Sequence, residues 1–256
     1  MKEKKLVLLA GQSNMSGRGY LTENDIYEIP GLTAIRRDLQ WIPAIDPFNY
    51  DRLNLLGFNA SDDPYEIHGL MNGEKRRCGV GPGRTFGKLL MEKFPGSEVG
   101  LIPASVGGTA ISCWMPGGKD DHSDMHPYDD AIVMSREAMK NGRIVAVLWH
   151  QGESDAARHT ENYKDKLKTV IANIRKELDI ADVPFILGGM GDFLNPEWDA
   201  PAYDRMIREV AEEVPLAGFA SAAGLTDRGD NLHFSTESQY ELARRYWAEY
   251  CRLAGL

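Results

Sequence analysis

Short apolar runs at residues 6–10, 99–104, 144–149, 184–189 and 217–222 recur along the chain, with amphipathic stretches between them. The runs are apolar on both faces, which suits strands covered on both sides and excludes an antiparallel sheet with one face in water. Strands alternating with helical stretches indicate βα units and a parallel sheet. Tyr163, Leu167, Val170, Ile171, Ile174 and Leu178 repeat at the 3–4 spacing of one helical face, with Thr160 as N-cap. Tyr240, Ala243, Trp247, Tyr250 and Leu253 do the same in a final helix opened by Ser235. Residues 84–94, 130–140 and 200–213 carry weaker versions of the pattern. The expectation is an α/β chain: a three-layer α/β/α sandwich around a central, mostly parallel five-stranded sheet, in one domain spanning 1–256.

Residues 17–80 break the rhythm. They hold little helical periodicity, and Pro30, Pro43, Pro47 and Pro64 stand among Trp41, Phe48, Tyr50, Phe58 and Tyr65. Residues 32–36 and 41–45 have the pattern of a small hairpin. An insertion this long in a compact domain usually forms a lid or pocket wall; the plainer alternative is a patch on the sheet edge.

Charge narrows the function. Lys and Arg number 29 against 38 Asp and Glu, a formal net charge of −9. An acidic surface disfavours nucleic acid and anionic lipid, both of which are held by basic patches. Cys78, Cys113 and Cys251 are widely spaced, contain no C-x-x-C and are read as free thiols. Lys2, Lys4 and Lys5 resemble the basic start of a signal peptide, but the apolar run after them is shorter than the roughly 7–15 residues of a signal core. No stretch approaches the roughly 20 apolar residues of a membrane span. The chain as it stands is therefore expected in the cytoplasm, and would be secreted only if a leader had been removed from it.

The first strand ends in Gly11-Gln12-Ser13-Asn14-Met15. Ligands of parallel α/β sheets bind off the carboxyl ends of strands, which puts Ser13 on a tight turn at that edge. A serine hydroxyl needs a histidine to take its proton, and the histidine needs a carboxylate to fix its tautomer. Asp230 and His233, three residues apart before the last helix, can meet without a second loop. Gly107 and Gly108 form a turn after the second strand, where backbone N–H groups can approach an oxyanion. After the third strand, Gln151 offers an amide and Glu153 a carboxylate.

Other signals are weaker. Gly152-Glu153-Ser154-Asp155-Ala156 approximates the G-x-S-x-G nucleophile elbow, which would make Ser154 the nucleophile of an α/β-hydrolase-like esterase, but it lacks the final glycine. Residues 119–126 pack three aspartates and two histidines; a solvated loop explains them better than a metal site, and no metal or other cofactor is expected. Gly81-Pro82-Gly83 reads as a turn feeding a helix that buries Phe86, Leu89 and Leu90.

Residues 10–15 (AGQSNM), 106–109 (VGGT), 149–155 (WHQGESD) and 230–233 (DNLH) occur in this order and together resemble the SGNH-hydrolase superfamily, in its branch of sialate O-acetylesterase-like proteins and family six carbohydrate esterases (acetylxylan esterases). The resemblance implies a flavodoxin-like fold and serine-dependent removal of acetyl groups from sugars: acetylated xylan, xylo-oligosaccharide or sialic acid. It implies Ser13 as nucleophile, His233 as general base and acid, and Asp230 as orienting acid. An oxyanion would be held by the N–H groups of Ser13 and Gly107 or Gly108, with Gln12 beside them. The superfamily's third block carries an asparagine where this chain has Gln151, which would replace it as oxyanion donor, while Glu153 is the rival for the acid role. Trp114 and the 17–80 insertion would contact the sugar, with Arg36 or Arg37 available to a carboxylate. The partner is thus a small-molecule or oligosaccharide acetyl ester. A non-catalytic sugar-binding homologue is the remaining alternative.

Overall fold

The structure, a computed structural model, describes residues 3–49, 51 and 79–256. Tyr50, Phe58, Pro64, Tyr65 and Cys78, singled out above, lie outside them. Each of the five apolar runs contributes a strand: β1 (Lys4–Gly11), β4 (Val99–Pro103), β5 (Gly142–His150), β6 (Phe185–Gly188) and β7 (Ala217–Ala220). Among the described residues the sheet nevertheless has seven strands, in the order β3-β2-β4-β1-β5-β6-β7, and not the five expected. The additional two are the hairpin inside the insertion, β2 (Leu32–Ile35) and β3 (Trp41–Pro43), which pair antiparallel. Leu32 aligns with Val99 in a parallel pairing of β2 with β4, so the hairpin extends the sheet edge. Leu32 and Ala34, both fully buried, make this pairing worthwhile by taking apolar surface out of water. This part of the insertion is therefore the edge patch and not a lid.

The five core strands run β4-β1-β5-β6-β7, the 2-1-3-4-5 order of flavodoxin-like sheets, whose switch point lies between the first and third strands. β1 is buried on both sides and alternates accordingly: Leu6, Leu8 and Ala10 enter one core, Val7 and Leu9 the other. The first core is covered by α3 (Pro127–Met139), α5 (Tyr163–Leu178) and α6 (Ala200–Glu213), the second by α2 (Pro82–Lys93) and α7 (Thr236–Ala254). Each Leu, Val or Phe buried this fully contributes about 1.5–3 kcal/mol.

Two details of the helices differ from expectation. α5 begins at Tyr163 after Asn162, which takes the left-handed conformation, so Thr160 is not its cap. α7 does begin after Ser235, whose hydroxyl accepts from the Ser238 N–H. Its buried stripe is Leu242, Ala243, Tyr246 and Tyr250, with Trp247 only partly buried. Cys113 and Cys251 are free thiols. Among the described residues no helix is long and apolar enough to cross a membrane.

The join between strand and site is set by Gly11. Its φ is 126°, and a Cβ there would lie 2.1 Å from the His150 carbonyl oxygen. Only glycine lets β1 turn so close to β5, and the turn delivers residues 12–16 to the carboxyl edge.

Candidate active site

Ser13 opens α1 (Ser13–Ser16), a single helical turn directly after β1, and is almost fully buried. The loop before α7 brings His233 to it: His233 Nε2 lies 3.1 Å from Ser13 Oγ. The other ring nitrogen, Nδ1, is 2.7 Å from Asp230 Oδ2. Asp230 Oδ1 accepts from the backbone N–H groups of His233 (2.8 Å) and Leu232 (3.1 Å), while Arg228 Nε donates to Oδ2 at 2.7 Å. Acid and imidazole are thus locked within one loop. With a carboxylate on Nδ1, that nitrogen carries the proton and Nε2 presents its lone pair to Ser13.

Charge follows the same geometry. Burial raises the Asp230 carboxyl, but hydrogen bonds from the His233 ring and backbone and from Arg228 outweigh it and hold the group well below the usual carboxylate range. Burial is the largest influence on His233 and lowers it; the nearby Arg18 and Arg228 act in the same direction, against the raising effect of Asp230. The imidazole is accordingly neutral at neutral pH.

Glu153, first residue of α4 (Glu153–Arg158), is buried and turned elsewhere. Its Oε1 accepts from Asn14 Nδ2 at 2.6 Å and lies 3.4 Å from His150 Nε2. Burial opposes its ionisation, but His150 and Asn14 more than compensate and keep it below the usual value. The imidazole of His233 is therefore served by Asp230, and Glu153 sits one residue removed, on Asn14. Ser154 lines the same cavity, but its backbone N–H goes to Gln12 Oε1 (3.3 Å), and the imidazole faces Ser13.

Five expected ligand-facing groups are placed otherwise. Gln151 Nε2 donates to the Thr109 carbonyl (3.1 Å) and to the buried Asp155 carboxylate one turn further on, so both amide hydrogens are used inside the protein and none is left for an oxyanion. Asp155 also accepts from the Ile111 N–H at 2.7 Å, stapling the second and third motif blocks together. Trp114 is fully buried, stands edge-on to Trp149 at 4.9 Å and donates to Thr109 Oγ1; it packs the core and meets no sugar. The Gly107 N–H donates to Asp51 at 2.7 Å, and Asp51 in turn pairs with Arg18 at 2.6 Å in a wholly buried ion pair. Arg37, for its part, is spent on Asp130 and the Ala104 carbonyl, and Arg36 pairs with Asp38. Gln12 is held between neighbours, its Oε1 facing the N–H groups of Gly152 and Ser154.

A cavity of about 570 Å³ opens over Ser13 and His233, within the range of small-ligand sites. Gln12, Gly107 and Gly108 line its floor with Glu153; Leu232, Arg158, His122 and Trp198 stand around them. Trp198 ends a short 3-10 turn (Pro196–Trp198) before α6 and is partly exposed. No motif marks it in the sequence, nor Arg18 and Asp51, whose pairing is a product of the fold. Arg228 was within reach of sequence reading, two residues before Asp230.

A family model described as carbohydrate esterase, sialic acid-specific acetylesterase, matches residues 3–252. The chain belongs to this family. A carbohydrate esterase is a carboxylic ester hydrolase, and the chain is one. A probable carbohydrate esterase of Arabidopsis thaliana is 28% identical to this family member over 263 residues, covering 96% of this chain and 92% of the relative. The crystal structure of an Arabidopsis thaliana protein superposes with a TM-score of 0.75 at 27% identity, covering 98% of this chain and 99% of that one. A carbohydrate acetylesterase from Xanthomonas citri gives a TM-score of 0.66 at 16% identity over 98% of this chain and 57% of that chain. An acetyl xylan esterase from Geobacillus stearothermophilus gives 0.50 at 15% identity over 98% and 97%. The last two are likenesses of fold.

Proposed function

We propose that the protein is a serine-dependent carbohydrate O-acetylesterase. Ser13 attacks the acetyl carbonyl while His233 Nε2 takes the hydroxyl proton, and Asp230 stabilises the imidazolium that forms. His233 then protonates the departing sugar oxygen, and the reverse relay activates water to release acetate from Ser13. The observation that carries this reading is the unbroken chain from Ser13 Oγ through His233 to Asp230, at 3.1 and 2.7 Å, at the floor of a cavity. A neutral imidazole, flanked by a carboxylate that stays ionised, is the protonation state the first step needs.

The oxyanion falls to backbone donors. Ser13 is the first residue of its helical turn, where the N–H has no partner within the helix. Gly108, which lines the cavity, is the second donor, because the Gly107 N–H is engaged by Asp51. The sugar lies outward, against Trp198 and Leu232, with Arg158 and His122 within the same cavity. Aromatic faces suit the apolar faces of sugar rings, and Trp198 takes the place expected of Trp114. Acetylated xylo-oligosaccharide and O-acetylated sialic acid are the substrates to compare.

Acetate release from 4-nitrophenyl acetate and from acetylated xylo-oligosaccharide, in wild type, Ser13→Ala and Ser154→Ala, tests the reading. Activity should vanish with Ser13→Ala while the far-UV spectrum and melting temperature stay unchanged, and should survive Ser154→Ala. Near-normal turnover by Ser13→Ala would remove Ser13 as nucleophile.

A further inference from the structure

Ser13 and His233 are 220 residues apart, yet hydrolysis by this route requires their side chains to hold hydrogen-bonding distance. Asp230 orients the imidazole within its own loop, but it does not tie that loop to the serine. Arg228 Nη1 reaches the Arg18 carbonyl at 2.8 Å, five residues past the serine, and the tie beside the imidazole itself is made by the residue next to the serine. Asn14 is buried, and its Nδ2 donates to the Leu232 carbonyl at 3.2 Å while its Oδ1 accepts from the Phe234 N–H at 3.1 Å. Leu232 and Phe234 are the two neighbours of His233, so a single side chain grips the loop on both sides of the imidazole. Gln239 of α7 adds a bond to the Asn14 carbonyl at 3.1 Å.

An asparagine amide can be rotated by half a turn with little change in shape, and the wrong orientation would set a donor against the Phe234 N–H and an acceptor against the Leu232 carbonyl. Glu153 removes the ambiguity. Its Oε1 accepts at 2.6 Å from the same Nδ2, and an ionised carboxylate tolerates only the donor end of the amide. Building on the serine mechanism above, we propose that Asn14 and Glu153 form a positioning pair: Asn14 clamps the His233 loop to the nucleophile's turn, and Glu153 sets the direction of the clamp. Neither touches the reacting atoms. Both act on the distance and angle between Ser13 Oγ and His233 Nε2, where a misplacement of about 1 Å can cost on the order of a hundredfold in rate.

An exchange of the two functional groups tests the pair. Asn14→Asp sets a second carboxylate against Glu153 and loses the donor; adding Glu153→Gln returns one amide and one carboxylate to that contact with their roles reversed and removes the repulsion, although the Leu232 carbonyl stays without its donor. kcat and KM on 4-nitrophenyl acetate are measured for wild type, Ser13→Ala, Asn14→Ala, Asn14→Asp, Glu153→Gln and the Asn14→Asp/Glu153→Gln double variant. The rate of Ser13 labelling by a fluorophosphonate is followed in parallel by mass spectrometry. Asn14→Asp should lower kcat on the order of a hundredfold with KM within about twofold, and slow labelling in step. The double variant should recover at least about tenfold over Asn14→Asp, although Glu153→Gln alone lowers the wild-type rate. A double variant as slow as the product of the two single losses would overturn the pairing. So would Asn14→Ala with kcat and labelling within about twofold of wild type. Should Asn14→Asp not fold by circular dichroism, Asn14→Ala and Asn14→Ser carry the test: each must lower kcat and labelling at least about tenfold at unchanged KM, or the clamp is refuted. Turnover by Ser13→Ala, or no label on wild-type Ser13, would instead defeat the serine mechanism, and the clamp with it; an inert Ser13→Ala beside fully active Asn14 variants defeats the clamp alone.

Discussion

Asp230→Asn probes the charge relay at almost constant shape. Both carboxylate oxygens of Asp230 are acceptors: Oδ2 from His233 Nδ1 and Arg228 Nε, Oδ1 from two backbone N–H groups. An asparagine has one acceptor oxygen. If it stays with the backbone pair, its NH2 faces the imidazole, which must move its proton to Nε2 and point a donor at Ser13. The imidazolium also loses its counter-charge. Two unit charges about 4 Å apart attract by about 4 kcal/mol at an effective dielectric near 20, about three decades in rate at 1.36 kcal/mol each. The Asp230 side chain is 32% exposed, so water screens part of this, and a fall in kcat of two to three decades is expected, roughly 100- to 1,000-fold. Acetate release under saturating 4-nitrophenyl acetate measures it, with circular dichroism to show that the loop and fold persist. A loss smaller than tenfold, or a larger loss from Glu153→Gln than from Asp230→Asn, would refute Asp230 as the orienting acid.

Three further outcomes follow from the same site. Because burial lowers His233, kcat/KM should rise from the acid side through a midpoint below the ordinary imidazole value, since only the neutral ring acts as base; a midpoint at or above 6.5 would contradict it. The sign for stability is the same: the unfolded chain takes up the proton first, so the fold weakens as pH falls from the ordinary imidazole value toward the lowered one. Trp198→Ala should raise KM for an acetylated oligosaccharide several-fold, roughly 1 kcal/mol, and leave 4-nitrophenyl acetate nearly unaffected; equal effects on both would exclude Trp198 as a sugar platform.

The sheet could be read from the sequence because a strand buried on both faces must be apolar throughout, and residues 6–10 or 144–149 cannot hide that pattern. β2 and β3 were legible as a hairpin but not as part of the sheet, since pairing with β4 depends on a register with Val99–Leu101, far along the chain. Asp230 and His233 could be read as a pair from their spacing of three, and Ser13 from its place at the end of the first strand; that the three side chains meet is what the fold adds. The errors concern direction. Trp114 and Gln151 lie at the correct edge, yet one turns into the core and the other onto Asp155, and no spacing rule reports which way a side chain faces. Asp51 and Trp198 stand on segments with no periodicity or motif, and only the folded chain brings Trp198 to the cavity and Asp51 to the Gly107 turn behind it.

The wide separation of Ser13 and His233 has a consequence for the life of the molecule. In the serine mechanism proposed above, the nucleophile is made early in synthesis and its base only just before the last helix, so a shorter nascent chain would hold a serine without the group that takes its proton. Hydrolysis by that route would be switched on by completion of the fold itself. By the proposed route a chain ending before His233 would lack its base, and ester hydrolysis would count only molecules in which the Ser13 turn and the His233 loop have met.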